Sequence, residues 1–406
     1  MKQGITLQEL AAKIEHEKSL KHDFVVPTAR LSVFASNDGD ENQRKNIRLA
    51  MPRTGVDVVD KYTYRTQDDD PRGGLAIRPI MHGQFSDKLG IPKKYADRML
   101  AEAPERLAEN FNHWLANATD TKGAPAQNMV RTLDGSARAF LSKSYNSLDN
   151  ADLVEAALPA IYESGAQVES CEITERRMYL KCIVPNITEV IWPDGTPDHL
   201  KILGDGRDKD RHVDIVRPGI SIGTSEVGFG KLFASPAIHT EGCSNLAIMS
   251  QDKMAKVHLG RSQGTENGLI AEVFSDDTKR AQDEVLFREI ADLTRAALGG
   301  EFFLRYVDQL KVSRGLKIET TDLAEVVDVT AEKFNLADGE RDSVLSHLIQ
   351  GGDLSAYGLS NAITRASQDV EDYDRASDME KIGGEVIELD PKQWAVIGMT
   401  TSRAAA

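Results

Sequence analysis

Apolar residues recur at helical spacing near the start of the chain. Leu7, Leu10, Ala11 and Ile14 form a stripe behind Thr6 and Glu9, which match the two ends of a capping box. Residues 23–80 lose that period. Short strand-like pieces ("FVV", "RLSVFA", "LAIRPI") flank "TQDDDPRGG", which reads as an exposed acidic loop. Helical spacing returns over 82–118. Gly90 closes a first helix, Pro92 opens a second and Pro104 a third, with Leu107, Phe111, Trp114 and Leu115 along one side. Residues 119–127 read as a linker.

From residue 128 the period is two. "RTLDGSARAFLSKSY" predicts a hairpin turning on Asp134-Gly135. A helix follows, "NADLVEAALPAIYESG", capped by Asp149 or Asn150 and stopped at Gly165. The strands "QVESCEIT", "RRMYLKCIV" and "EVIW" come next, and "HVDIVRPGISIGTSEVGFG" and "KLFASPAIHTEGCSNLAI" complete the region as glycine-rich strands. From about Phe274 the pattern is helical to near the end. The fold class expected is α+β: an antiparallel hairpin-and-helix core of β-β-α-β-β order, with a helical N-terminal part and an acidic helical C-terminal part. The expected units are 1–80 (helix plus irregular and strand segments), 81–127 (small helical region and linker), 128–273 (β-rich core) and 274–406 (acidic helical region).

Charge sharpens this division. The formal net charge is -15, yet residues 262–406 hold 15 Lys and Arg against 28 Asp and Glu, so nearly all the deficit lies there. The preceding 261 residues are close to neutral and leave room for a local basic surface. No apolar run is long enough for a transmembrane helix, and "MKQGITLQEL" lacks the apolar core of a signal peptide. Cys171, Cys182 and Cys243 are scattered, which fits a reducing cytoplasm and gives neither a disulfide framework nor a zinc motif.

The hairpin carries the first candidate chemistry. With a two- or four-residue loop Arg131 faces Arg138 and shares a face with Met129 and Phe140, while Val130, Ala137, Ala139 and Leu141 take the other; a three-residue loop would shift the register and separate the arginines. Like charges across a strand pair repel, so the pair points to an anion between them: phosphate on the functional reading, carboxylates of the protein itself on the plain one. In the strand at 176–184, Arg177, Tyr179 and Lys181 alternate onto one face, a cation-and-aromatic pattern suited to single-stranded nucleic acid. Lys143, Arg207 and Arg211 stand at the margin of such a groove. "GISIGTSEVGFG" has neither phosphate-loop nor dinucleotide spacing, and its glycines imply bulges or close backbone approach. Glu226 within it reads as a buried carboxylate, a helix cap or a bulge brace.

Three stretches together carry a family resemblance: "VRTLDGSARAFLSKSYNSLDN", "VRPGISIGTSEVGFGKL…IHTEGCSNLAI" and "GLSNAITRASQDVEDYDRASDMEKIGGEVIEL". Over roughly residues 80–397 the chain resembles a phage/plasmid-like family defined by a domain of unknown function. It departs from that family's pattern at Thr224, where Asn is usual, and at Leu246, where Gly is usual. The resemblance implies a mobile-element setting, in which DNA replication and recombination proteins are frequent. The β-β-α-β-β order is also similar in outline to Rad52-like single-strand annealing proteins.

The leading expectation is a nucleic-acid-binding protein that protects or anneals single-stranded DNA as a homo-oligomeric ring or filament, with no membrane and no cofactor. Arg131, Arg138, Phe140, Lys143, Arg177, Tyr179, Lys181, Arg207 and Arg211 are its expected binding residues, and no catalytic or metal-ligating residue is assigned. One alternative is a metal-dependent enzyme on nucleic acid, using His212, Asp214, Glu226 and His239. Another is an acidic phage protein that binds a partner through its last third.

Overall fold

The computed structural model describes residues 1–37, 46–51, 57–58, 74–120, 122–143, 145, 148–192, 214–230, 232–241, 244–251, 254–256 and 276–398. The α+β class holds, with a helix at the N-terminal end and a helical C-terminal region. The strands form two sheets rather than one core sheet.

The first sheet contains β1 (Lys21–Pro27), β2 (Ser32–Ser36), β3 (Asn46–Ala50), β4 (Asp57–Val58), β5 (Leu75–Ile77), β6 (Gln127–Leu133) and β7 (Ser136–Ser142). Its order is β2-β3-β5-β7-β6-β1-β4, antiparallel except where β5 runs beside β7. Helices α2 (Pro79–Lys88), α3 (Lys93–Glu102) and α4 (Pro104–Ala116) cover one face. Met81, Phe85, Leu107 and Phe111 bury against Val26, Val33, Leu49 and Val130 there. Gly90 sits at φ 69° and ends α2, and Pro104 occupies the first turn of α4, as the sequence pattern requires. Leu107, Phe111 and Leu115 are buried, but Trp114 is 48% exposed: four apolar residues make a wider stripe than the sheet covers.

The second sheet has the path β13-β12-β11-β9-β8, with β10 on β11 and β14 on β12. Its strands are β8 (Gln167–Ile173), β9 (Met178–Ile183), β10 (Glu189–Ile191), β11 (Asp214–Thr224), β12 (Leu232–Thr240), β13 (Asn245–Ile248) and β14 (Met254–Lys256). One face packs on α1 (Leu7–Leu20), α5 (Asn150–Glu163) and α6 (Asp276–Leu298) through Leu10, Ile14, Leu153, Ile161, Leu286 and Ile290. Thr6 and Glu9 form the expected capping box. The hairpin before α5 and the strands after it therefore lie in different sheets, and the β-β-α-β-β order is a succession in sequence only.

The C-terminal helices are α7 (Gly300–Gly315), α8 (Leu323–Phe334), α9 (Asp338–Gly351), α10 (Ala356–Ala366), α11 (Tyr373–Ile387) and α12 (Pro391–Gly398). They share an apolar core that includes Val326, Leu348, Ile363, Met379 and Trp394. Helix α11 lies against the other face of the second sheet. A Cβ on Gly384 would stand 2.0 Å from the carbonyl oxygen of Ile248, so glycine permits that close approach. Among the described residues no helix is long and apolar enough to cross a membrane.

Candidate nucleic-acid interface

The β6–β7 hairpin turns on Asp134-Gly135 as expected, and the loop is the two-residue one, with φ 49° and 67°. Leu133 pairs with Ser136 and Thr132 with Ala137, but Arg131 then pairs with Ala139. Arg138 is the extra residue of a β-bulge. The bulge shifts the alternation by one position, because two residues of β7 oppose one of β6. Ala139 and Leu141 consequently join Met129 on the inner cluster with Ile80 and Val227. Phe140 moves to the opposite face, where its ring lies 4.6 Å from that of Phe85. Phe140 is 1% exposed and does not share a face with the arginines, which corrects its place in the expected groove.

The anion between the arginines is a carboxylate of the protein. Glu226 enters from the loop after β11. Its Oε2 lies 2.8 Å from Arg138 Nη2, and its Oε1 accepts from Lys21 Nζ at 2.5 Å and from the Asn150 N–H at 2.8 Å. Its backbone carbonyl accepts from Arg131 Nη1 at 2.7 Å. Arg131 also reaches Asp23 at 2.8 Å and Asp149 at 2.7 Å, and it is 1% exposed. Glu226 is thus at once buried, a brace for the bulge and a carboxylate at the start of α5, where helix dipole and free N–H groups favour negative charge. Burial raises its pKa, but Arg138, Lys21 and Arg131 outweigh burial and hold it well below the usual carboxylate range.

The loop holding Glu226 is fixed on both sides. Ser225 Oγ donates to the carbonyl of Arg176 and accepts from the N–H groups of Val227 and Phe229. Gln84 Nε2 donates to the carbonyl of Val227 while its Oε1 accepts from the N–H of Phe140. That N–H lies beyond the end of β5, so Gln84 replaces a missing ladder partner.

On β9 the alternation of Arg177, Tyr179 and Lys181 onto one face is real, but α11 covers that face. Lys181 Nζ lies 2.6 Å from Glu380 Oε2, with both side chains fully buried. Burial lowers the pKa of Lys181, and Glu380 opposes the shift. Tyr179 donates to Asp374 at 2.8 Å. Arg177 donates to the Phe229 carbonyl at 2.8 Å and stands 3.6 Å from Asp378. The acidic C-terminal region therefore supplies the counter-charges of the basic strand. Arg131, Tyr179 and Lys181 sit in the interior, spent on carboxylates of the chain, and the expectation that they line an open groove is corrected. Lys143 is exposed beside the hairpin. Arg207, Arg211 and His212 lie outside the described residues. Asp214 stands 3.6 Å from Arg314, and His239 is buried beside Arg217 and Glu241. Among the described residues, no three His, Cys, Asp or Glu side chains are grouped to hold a metal ion.

What the fold does create is a cleft of about 180 Å³ between α1, the hairpin, the β8–β9 turn and the Glu226 loop. Lys13, Arg78, Arg138, Arg176 and Arg177 line it, against Glu17, Glu175 and Glu226. Arg138 is 7% exposed, and its Nε and Nη2 have no aligned hydrogen-bond acceptor: the contact with Glu226 is one of charge without hydrogen-bond geometry. The Arg78 guanidinium makes no hydrogen bond or ion pair among the described residues. At the rim the Arg176 guanidinium lies 5.6 Å from the ring centroid of Phe229, which is 39% exposed. Arg78, Arg176 and Phe229 escaped the strand-face reading because none belongs to a regular alternation. The one sequence signal for Phe229 was an aromatic in a glycine-rich turn.

No family model matches the chain, and no curated protein or solved structure does so either.

Proposed function

We propose that the chain is a mobile-element protein that binds single-stranded DNA in recombination or replication, with the cleft and the Phe229 platform as its interface. The observation that carries the reading is the exposed ring of Phe229 with the Arg176 guanidinium 5.6 Å from its centroid, Arg176 lining a cleft that Arg78 also lines. Arg78, whose guanidinium makes no hydrogen bond or ion pair among the described residues, is the cation offered to phosphate. Phe229 and Arg176 offer a surface on which an unpaired base stacks, and that combination distinguishes a single strand from a duplex. Glu226, Val227 and Phe229 all belong to the "SEVGFG" stretch that carried the family resemblance. A ring or filament would repeat the cleft along a strand and add weak sites together. Equilibrium binding of fluorescent single-stranded and duplex oligonucleotides of one length at low salt tests the proposal. Preference for the single strand, reduced by Phe229→Ala, is expected. Equal affinity for the duplex, or affinity for neither, defeats it.

A further inference from the structure

We infer that Ser225 is the positioning residue of the Arg176–Phe229 platform: its hydroxyl fastens the two halves of the stacking surface to each other. The inference rests on the single-strand reading above. Arg176 belongs to the turn between β8 and β9, and Phe229 to the loop after β11. Met178, the first residue of β9, pairs with Thr224, the last of β11, so the two turns leave the second sheet side by side. The strand ladder ends at that pair, and Ser225 is the next residue. Its Oγ donates to the Arg176 carbonyl at 2.7 Å, and accepts from the Phe229 N–H at 2.9 Å and from the Val227 N–H at 3.3 Å. A hydroxyl has one donor and two acceptor lone pairs, and all three are used here. Ser225 is fully buried, so these bonds form out of contact with water.

The other side of Phe229 is held separately, because Arg177 Nε donates to its carbonyl at 2.8 Å. Both backbone polar groups of Phe229 are therefore fixed by side chains while its ring stays exposed. On the neighbouring turn Thr174 Oγ1 accepts from the N–H groups of Arg176 and Arg177. A ring held in place before a base arrives loses little further freedom on stacking, so less of the stacking energy is spent on ordering the loop. The carboxylate of Glu226, next in sequence, is held by Arg138, Lys21 and Asn150 and not by Ser225. Every bond of the Ser225 hydroxyl ends instead on the two turns of the platform.

The test is a double-mutant cycle on the binding of a fluorescent oligothymidylate at low salt, read by anisotropy for the parent, Ser225→Ala, Phe229→Ala and the double variant. Phe229→Ala is expected to weaken binding about tenfold, and Ser225→Ala about three- to fivefold. The double variant is expected to bind no more weakly than Phe229→Ala, because a hydroxyl that acts through the ring has nothing to position once the ring is gone. Hydrogen exchange without DNA gives a second reading: peptides containing Phe229 are expected to exchange faster in Ser225→Ala. Arg177→Lys keeps the charge beside Asp378 but has no Nε to hold the Phe229 carbonyl, so it is expected to show the same dependence on Phe229 even if Ser225→Ala folds poorly. Losses that multiply in the double variants, or exchange unchanged in Ser225→Ala, overturn the inference and leave single-strand binding in place. Phe229→Ala binding as tightly as the parent, or a parent that binds no strand, overturns both.

Discussion

Glu226→Gln isolates the joint between the two sheets. The substitution keeps size and shape and leaves an oxygen to accept from Asn150, but removes the charge that faces Lys21 at 2.5 Å and Arg138 at 2.8 Å. Each contact is worth about 4 kcal/mol or more at an effective dielectric near 20, but most of that gain offsets desolvation of the groups involved. Breaking a buried ion pair by removing one partner costs ~3–5 kcal/mol, since the other partner stays buried and unmatched. Here Arg138 is stranded and Lys21 keeps only the longer contact with Glu17 at 3.9 Å, and a loss in that range is expected in urea unfolding followed by circular dichroism and tryptophan fluorescence together. The pH dependence gives a second handle. The folded pKa of Glu226 is depressed, so its contribution is fully present above its ordinary value of 4.5 and is lost as pH falls below that. The Gln variant should show a shallower loss of stability below pH 4.5 than the parent. The same variant should bind anions more tightly, because a carboxylate no longer neutralises the floor of the cleft. A stability loss below about 1 kcal/mol would mean that Glu226 does not hold the buried cations and that Arg138 is stabilised by other means.

Two further outcomes follow from the buried groups. Lys181→Met alone should cost ~3–5 kcal/mol by stranding Glu380, whereas Lys181→Met with Glu380→Met should recover most of it, as measured by denaturant midpoints. Burial, reinforced by the positive charges of the amino terminus and Arg217, pulls the His239 pKa from 6.5 to about 4. Its contribution should therefore be lost as pH falls from about 6.5 to about 4, and His239→Gln should remove that part of the acid dependence, seen as a flatter melting temperature over that interval.

Local signals were legible in the sequence wherever a few neighbouring residues decide the conformation. The Thr6–Glu9 cap, the Asp134-Gly135 turn, the Gly90 stop and the start of α5 next to Asp149 and Asn150 all depend on such local chemistry. The paired arginines were legible as an electrostatic problem, and the candidate solutions included a carboxylate. Which carboxylate was not legible, because Glu226 lies 95 residues beyond Arg131 and belongs to the other sheet. The bulge at Arg138 was hidden for a related reason. A bulge is set by what the extra side chain reaches, here Glu226, and its effect on alternation sent Phe140 to the opposite face. Likewise β9 showed its cationic face correctly, but nothing local announced that α11, some 200 residues on, would cover it with Asp374 and Glu380. The cleft collects Lys13, Arg78, Arg138 and Arg176 from four separate segments, so only the assembled fold places them together.

If phosphate binds at this cleft, oligonucleotide affinity falls with salt, and the fall is less steep for Arg78→Ala/Arg176→Ala than for the parent chain. Each phosphate contact to a single strand contributes about -0.7 to the slope of log affinity against log salt. The double variant should bind more weakly, with a slope shallower by about 0.7 for the phosphate contact of Arg78, the rest of the loss coming from the stacking surface. An unchanged affinity and slope in a folded double variant would mean that no phosphate binds at this cleft.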